Sequence, residues 1–240
     1  MVNKKIFGLL FLFVVVTSVV FFAGYLLLVN FPDFKIERVK VINQKGESVF
    51  NPEDFFRLDS TEVNLFSFDM KRAIQDILAR HPELAGASIL KRFPNELLIV
   101  LKEREPVAAV VSGDFYSVDA EGFILPFVSI HRTLPKIIGV HSKDVKLYAR
   151  SDSLKLKKAL QLLAELKRAK VYPEYEISRI DVRRYSDVIF YLGDKIQVKM
   201  GEGDFKRKSE LLSTLLAQLK ASNTVPKYID MRFDNPVVKP

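Results

Sequence analysis

The sequence predicts an α+β protein in three parts: an N-terminal transmembrane helix, a small β-α-α-β-β module, and a β-rich domain whose helices cover one face of a mixed sheet. Three observations lead there. Residues Ile6 to Phe31 contain no charged side chain. The segment after them combines short period-2 runs with two amphipathic helical patterns. The C-terminal part carries several strand patterns separated by two Leu-rich helices. Composition fits an ordered chain: 48% of the 240 residues are hydrophobic, with 10 Gly and 11 Pro. Disordered and collagen-like classes are thereby excluded. There is no Cys, which removes disulfides, thiol nucleophiles and Cys-ligated metals.

The uncharged run IFGLLFLFVVVTSVVFFAGYLLLVNF is 26 residues long. At about 1.5 Å per helical residue it exceeds the roughly 20 residues that cross a hydrocarbon core. A cleaved signal peptide has a shorter apolar region and a small-x-small site after it. No A-x-A pattern follows here, so a retained anchor is expected. Lys4 and Lys5 precede the run and Asp33 follows it. Positive-inside bias then places residues 1–5 in the cytoplasm, 6–31 in the membrane and the rest outside, although Lys35 and Arg38 weaken the asymmetry. Beyond the anchor the chain keeps a charge excess of +6, from 37 Lys+Arg less Lys4 and Lys5 against 29 Asp+Glu. Such an excess suits anionic headgroups or acidic partners, or is a solvated basic surface. Nucleic acid is not expected: the location is wrong and no basic-aromatic RNA-binding motif is present.

Residues 32–105 make the first module. Val39 and Val41 alternate with Arg38 and Lys40 along a short strand. Asn51-Pro52-Glu53-Asp54 starts a helix, with an Asx cap, Pro at the first helical position and acids in the first turn; Phe55, Phe56 and Leu58 make it apolar. A second helix starts at Asp69, buries Met70, Ile74, Ile77 and Leu78, and is limited by Pro82. Strands over 85–92 and 96–103 follow, joined by Phe93-Pro94-Asn95.

In the remainder, Tyr116 to Leu125 reads as a hairpin turning at Asp119–Gly122. Ser151 to Lys170 is a helix with Leu156, Ala159, Leu160, Leu163 and Leu166 on one face, and its Lys155, Lys157, Lys158, Lys167, Arg168 and Lys170 form a solvated basic face. Ile177–Val182 is a strand. Val188–Leu192 and Ile196–Met200 form a hairpin through Gly193-Asp194. A further helix carries Phe205, Leu212, Leu215, Leu216 and Leu219, and Tyr228 to Phe233 reads as a last strand.

No active site emerges. Asp119 and Glu121 belong to a turn. Gly201-Glu202-Gly203-Asp204 lacks phosphate-loop spacing and reads as a strand-to-helix turn capped by Asp204. His81 suits a helix C-terminus. His131 and His141 lack a local third metal ligand, and no Ser sits in a G-x-S-x-G motif. No cofactor, metal or small-molecule substrate is expected.

Several motifs together resemble a known family. VKVIN, NLFSFD, and Ala87-Ser88-Ile89-Leu90-Lys91-Arg92-Phe93-Pro94 running on to Glu103-Arg104-Glu105-Pro106-Val107-Ala108 resemble the POTRA domain of the FtsQ/DivIB division proteins, with Phe93 where the family usually has Trp. Leu134-Pro135-Lys136-Ile137-Ile138-Gly139, Arg183-Arg184-Tyr185 and Tyr228-Ile229-Asp230-Met231-Arg232-Phe233 resemble motifs of that family's β domain, here 106–240. The resemblance implies a non-enzymatic scaffold of the divisome, a single-pass type II protein of the inner or cytoplasmic membrane at the division septum. It implies FtsB- and FtsL-type (DivIC/FtsL) partners, and a link to septal peptidoglycan synthesis. The partner would add a strand to an exposed edge at the C-terminus. The expected partner-binding residues are Arg183, Arg184, Tyr228, Ile229, Asp230, Met231, Arg232 and Phe233. Phe233 would be the apolar anchor, and Arg183 and Arg232 forks for carboxylates. Other divisome proteins would meet the POTRA domain. The rival readings are a POTRA-bearing envelope chaperone or secretion factor, and a cell-wall enzyme.

Overall fold

A computed structural model of the chain describes residues 4–48, 50–55, 63–128 and 133–239. Phe56, Leu58 and His131 lie outside the described residues. The chain divides into two compact units, Met1–Glu103 and Arg104–Pro240.

The first unit opens with helix α1, Lys4–Asn30. Its stretch Gly8–Asn30 is long and apolar enough to cross a membrane, and none of it is buried within the protein. A 3-10 turn at Pro32–Phe34 follows. Strand β1 spans Arg38–Asn43, the short helix α2 Pro52–Phe55, helix α3 Met70–Arg80, β2 Leu84–Arg92 and β3 Glu96–Glu103. This is the β-α-α-β-β order expected. Asp69 caps α3 by accepting hydrogen bonds from the backbone N–H groups of Lys71 and Arg72. That cap satisfies donors the helix leaves unpaired. The sheet order is β1-β3-β2, with β1 parallel and β2 antiparallel to β3. Ile77 and Ala73 of α3 pack on Leu97, Ile99 and Leu101 of β3, with Val41 and Leu65. Met70, Ile74 and Leu78 are only partly buried.

In the second unit β4 spans Pro106–Ser112, β5 Asp114–Asp119, β6 Ile124–Pro126, β7 Lys136–Ile138, helix α4 Leu154–Arg168, β8 Ile177–Asp181, β9 Val188–Leu192, β10 Ile196–Gly201, helix α5 Phe205–Ala221, β11 Tyr228–Asp230 and β12 Val237–Lys239. Among the described residues these strands form one mixed sheet, in the order β12-β11-β10-β9-β8-β7-β4-β5-β6. Pairs β4·β7, β7·β8 and β10·β11 are parallel; the others are antiparallel. Two of the three parallel connections, β7-α4-β8 and β10-α5-β11, use a helix, while β4 reaches β7 by way of β5 and β6. The core takes alternate residues from the strands, such as Ile137, Ile180, Phe190, Val198 and Ile229. Leu156, Leu163 and Leu166 of α4 and Leu212 and Leu216 of α5 join them. Residues between these along each strand point to the sheet's other face.

Four expectations change. β4 and β7 were not anticipated as strands; Ala108, Ala109 and Val110 of β4 are all buried, giving a continuous apolar run rather than an alternation. The last predicted strand stops at Asp230 rather than Phe233, and a further strand, β12, pairs antiparallel with it. Two lysines of the supposed solvated face of α4 are engaged. Lys155 Nζ donates to the Arg183 carbonyl at 2.8 Å, and Lys158, whose side chain is 11% exposed, donates through Nζ to the Tyr185 carbonyl and to Glu202. Asp204 caps α5 as expected, through Arg207 N–H, from a left-handed conformation with φ 44°.

Candidate partner-binding edge

The two ends of the large sheet differ. At the β6 end, the residues after the β7 loop return to close the ladder. Ile124 N donates to the Ala149 carbonyl, Tyr148 N to the Ile124 carbonyl and Ser151 N to the Gly122 carbonyl, each at 2.9 Å. At the other end β12 pairs with β11 on one side and ends the sheet on the other. An unpaired strand edge offers backbone donors and acceptors to another chain. This one has only three residues and carries exposed Lys239, features that restrain indiscriminate pairing.

Beside that edge, the face of the sheet away from the helices is polar and aromatic. Pairing runs across the strands from Lys136 to Arg179, Tyr191, Gln197, Tyr228 and Lys239. The next row holds Ile138, Asp181, Ile189, Lys199, Asp230 and Val237. The Arg179 guanidinium stacks 4.1 Å from the Tyr191 ring centre, and Lys199 Nζ lies 5.1 Å from that of Tyr228.

Two matching constructions stand on this face. In each, a buried Ile is followed by an Asp, a buried apolar residue and an Arg: Ile180-Asp181-Val182-Arg183 and Ile229-Asp230-Met231-Arg232. Asp181 accepts from the Arg183 backbone N–H at 3.0 Å, from Nε and, at 2.6 Å, from Nη2. Asp230 accepts from the Arg232 backbone N–H at 3.1 Å, from Nε at 2.9 Å and from Nη2 at 2.7 Å, and also from the Tyr228 hydroxyl at 2.6 Å. The carboxylate thus takes the N–H two residues on and turns the chain. That is why β11 ends at Asp230. The preceding parallel strand supplies the fixed points in both cases: Val182 N donates to the Ile138 carbonyl and Met231 N to that of Lys199. A positive-φ glycine lies against each arginine, Gly139 at φ 96° and Gly201 at φ 65°. β8 and β11 run the same way, so both clasps occupy one end of the sheet. Three inter-strand steps separate them, about 14 Å.

Hydrogen bonds from Arg232 hold the Asp230 carboxyl far below the usual carboxylate range, despite burial, and raise the Arg232 guanidinium in turn. Burial pushes Asp181 up, but the side-chain and backbone bonds from Arg183 bring it below its usual value. Tyr228 is raised by burial and by its bond to Asp230.

Against this geometry the predicted residues separate. Ile229 and Met231 are core side chains, 0% and 1% exposed, and do not offer themselves to a partner. Asp230 is buried under Arg232. Arg183 and Arg232 are committed side-on to their own aspartates rather than standing as open forks. A guanidinium has five N–H donors, however, and this pairing uses only the Nε and Nη2 side, so the Nη1 end remains. In Arg232 that end lies 3.8 Å from Asp187 Oδ1. Arg184 and Tyr185 are exposed, and Phe233 is 60% exposed. The residues missed are Val237, Val238 and Lys239. A β-branched run between Pro236 and Pro240 was their signal. The repeated Ile-Asp-x-Arg was the signal for Asp181.

The sequence model of the family described as cell division protein FtsQ/DivIB, C-terminal, matches residues 108–232, more than half of the chain. The chain belongs to this family. Curated relatives agree. The cell division protein FtsQ of Geotalea daltonii is 26% identical over 209 residues, 85% of this chain and 75% of its own. That of Syntrophotalea carbinolica is 27% identical over 229 residues, 93% of this chain and 79% of its own. That of Neisseria meningitidis is 26% identical over 199 residues, 81% and 78% of the two chains. The family match stops at Arg232, so β12 lies just beyond it.

Proposed function

We propose that this FtsQ/DivIB-family chain is a non-enzymatic scaffold of the divisome that offers the open edge of β12 to a strand from an FtsB- or FtsL-type partner. α1 anchors it in the inner or cytoplasmic membrane with residues 33–240 outside, at the septum, and the bound partners link it to septal peptidoglycan synthesis. One observation carries the reading: the β6 end of the sheet is closed by the chain's own backbone, while among the described residues none covers the β12 end. An added strand pairs its main chain with β12. Exposed Phe233, which follows β11 beside this edge, supplies selectivity; Arg184 and the Nη1 end of Arg183 follow β8, four strands further into the sheet, and can meet only a partner that continues across it. The acidic partner residues this favours are those a positive excess attracts.

The test uses the full-length chain in detergent and a peptide from the partner. Removing residues 228–240 is uninformative, because it deletes the core residues Ile229 and Met231. Removing only 237–240 takes away the edge strand, whose Val237 is already 43% exposed. Two or three inter-strand hydrogen bonds at about 1 kcal/mol each correspond to roughly a thirtyfold loss of affinity or more. Full-strength binding by that truncation, with its thermal transition intact, would overturn the proposal.

A further inference from the structure

Four phenylalanines gather where α1 leaves the membrane-spanning stretch. Phe31 follows the helix, Phe34 sits in the 3-10 turn, Phe66 precedes α3, and Phe93 tips the β2–β3 turn. Their rings are contiguous: Phe31–Phe34 at 5.9 Å, Phe34–Phe66 at 5.0 Å, Phe66–Phe93 at 5.6 Å and Phe34–Phe93 at 6.3 Å. None belongs to the core of the first unit, which takes the neighbouring Ile36 and Leu65 instead. Phe31 is 50% and Phe93 64% exposed. Three separate chain segments therefore converge on an apolar patch that the unit itself does not use.

The patch is held at a defined height. The apolar stretch Gly8–Asn30 has 23 residues, about 34 Å of helix against a hydrocarbon core of about 30 Å. Its last residues therefore emerge among the headgroups. The connection that follows is short and bonded. Asn64 Nδ2 donates to the carbonyls of Leu28 and Phe31 at 3.2 and 3.4 Å, covering helix-end acceptors. Leu65 N donates to the Phe34 carbonyl at 2.8 Å and Ile36 N to that of Val63 at 3.0 Å. With Phe34 so close to the helix end and Phe66 and Phe93 stacked on it, all four rings lie at the level where apolar side chains enter the headgroup–acyl boundary.

We infer that this aromatic patch docks on the lipid surface of the membrane that α1 spans, holding the first unit against the outer leaflet instead of leaving it on a swinging tether. The occupant is lipid because the patch continues the surface of the span itself. Its surroundings mix signs, with Lys35, Arg38 and Arg92 beside Asp33, Glu37 and Glu96, so contact is driven by the rings and does not require anionic lipid.

The inference rests on the anchor reading of α1, and the test separates the two. The chain contains no Trp, so Phe93→Trp introduces a single indole at an exposed position. The full-length variant is reconstituted, at low protein-to-lipid ratio, into vesicles of phosphatidylcholine brominated near the glycerol end of the acyl chains. Phe31→Trp and Val225→Trp serve as the membrane-level and aqueous references. Flotation of the protein with the vesicles after an alkaline wash reports the anchor. The expected result is that the Phe93→Trp emission is blue-shifted, loses most of its intensity to the brominated lipid and resists aqueous iodide, as with Phe31→Trp. A floating protein whose indole behaves like that of Val225→Trp would overturn the docking while sparing the anchor. Protein that fails to float would overturn both. Quenching seen only when phosphatidylglycerol is added would overturn the apolar basis of the contact.

Discussion

Replacing Asp230 by Asn tests the clasp that ends β11 and sets the chain's path towards the edge strand. Asp230 is 4% exposed. It receives the Tyr228 hydroxyl at 2.6 Å and, from Arg232, the backbone N–H at 3.1 Å, Nε at 2.9 Å and Nη2 at 2.7 Å. Asn keeps the shape and one acceptor, but turns an NH2 group on donors and removes the charge. Hydrogen bonds to a charged group contribute about 1.5–3 kcal/mol, and cutting a fully buried pair costs about 3–5 kcal/mol. The Arg232 side chain is 38% exposed, so water recovers part of that loss and about 2 kcal/mol is expected. At about 2–4 °C per kcal/mol for a domain of this size, the melting point of the second unit should fall by about 4–8 °C. Thermal unfolding of the full-length chain in detergent, followed by near-ultraviolet circular dichroism, measures it. The pH dependence has a definite sign. The folded carboxyl titrates far below its unfolded value, so its stabilising share is complete at neutral pH. That share is lost only as pH falls below about 4, towards the folded value. The gap between wild type and Asp230→Asn should therefore be flat from about pH 5 to pH 8 and narrow only in acid. A cycle with Arg232→Met should show coupling of about 1 kcal/mol or more. An unchanged melting point, or additive single losses, would refute the clasp.

The two glycines of the clasps should differ. A Cβ on Gly139 would meet the Arg183 backbone, with Cα at 2.7 Å, whereas one on Gly201 would meet the Arg232 side chain, with Cγ at 2.7 Å. Both positions carry the cost of positive φ, but only at Gly139 must backbone move, so Gly139→Ala should lower the denaturation midpoint clearly more than Gly201→Ala, which costs about 1 kcal/mol; equal losses would contradict this. In the first unit Ile77 is 0% exposed among Leu97, Ile99 and Leu101, so Ile77→Asp places an unpaired charge in the core. Hydrogen exchange should then show the amides of β1 and β3 unprotected while those of β8 to β10 keep their protection; an unaltered pattern would mean that α3 buries another face.

Local physics was readable along the chain. A 26-residue uncharged run defines α1 without reference to anything else. Asp69 ahead of the Met70, Ile74, Ile77 and Leu78 spacing defines α3, and Gly193-Asp194 between two alternating runs defines the β9–β10 hairpin. Each of these needs only neighbouring residues, since helix caps, helical faces and tight turns are decided within a few positions. β4 was hidden because its Ala108, Ala109 and Val110 are buried together, and a short apolar run without alternation has no period to read.

Pairing across the chain was not readable, because hydrogen bonds between strands depend on which segments meet. The sequence determined that Tyr228-Ile229-Asp230 begins a strand; only the tertiary structure decided that Lys199 and Gln197 lie beside it, that Val237–Lys239 covers its other side, and that the open edge is therefore β12. The sequence likewise displayed Arg183 and Arg232 as available cations. Only the fold showed them held by Asp181 and Asp230, because those bonds require the strand to end at the Asp and the chain after it to turn the arginine back onto the carboxylate. The four phenylalanines of the aromatic patch come from three separate segments of the sequence, and each alone is an ordinary exposed or half-buried ring. Their contact exists because Asn64 and Leu65 tie the loop before α3 to the end of α1.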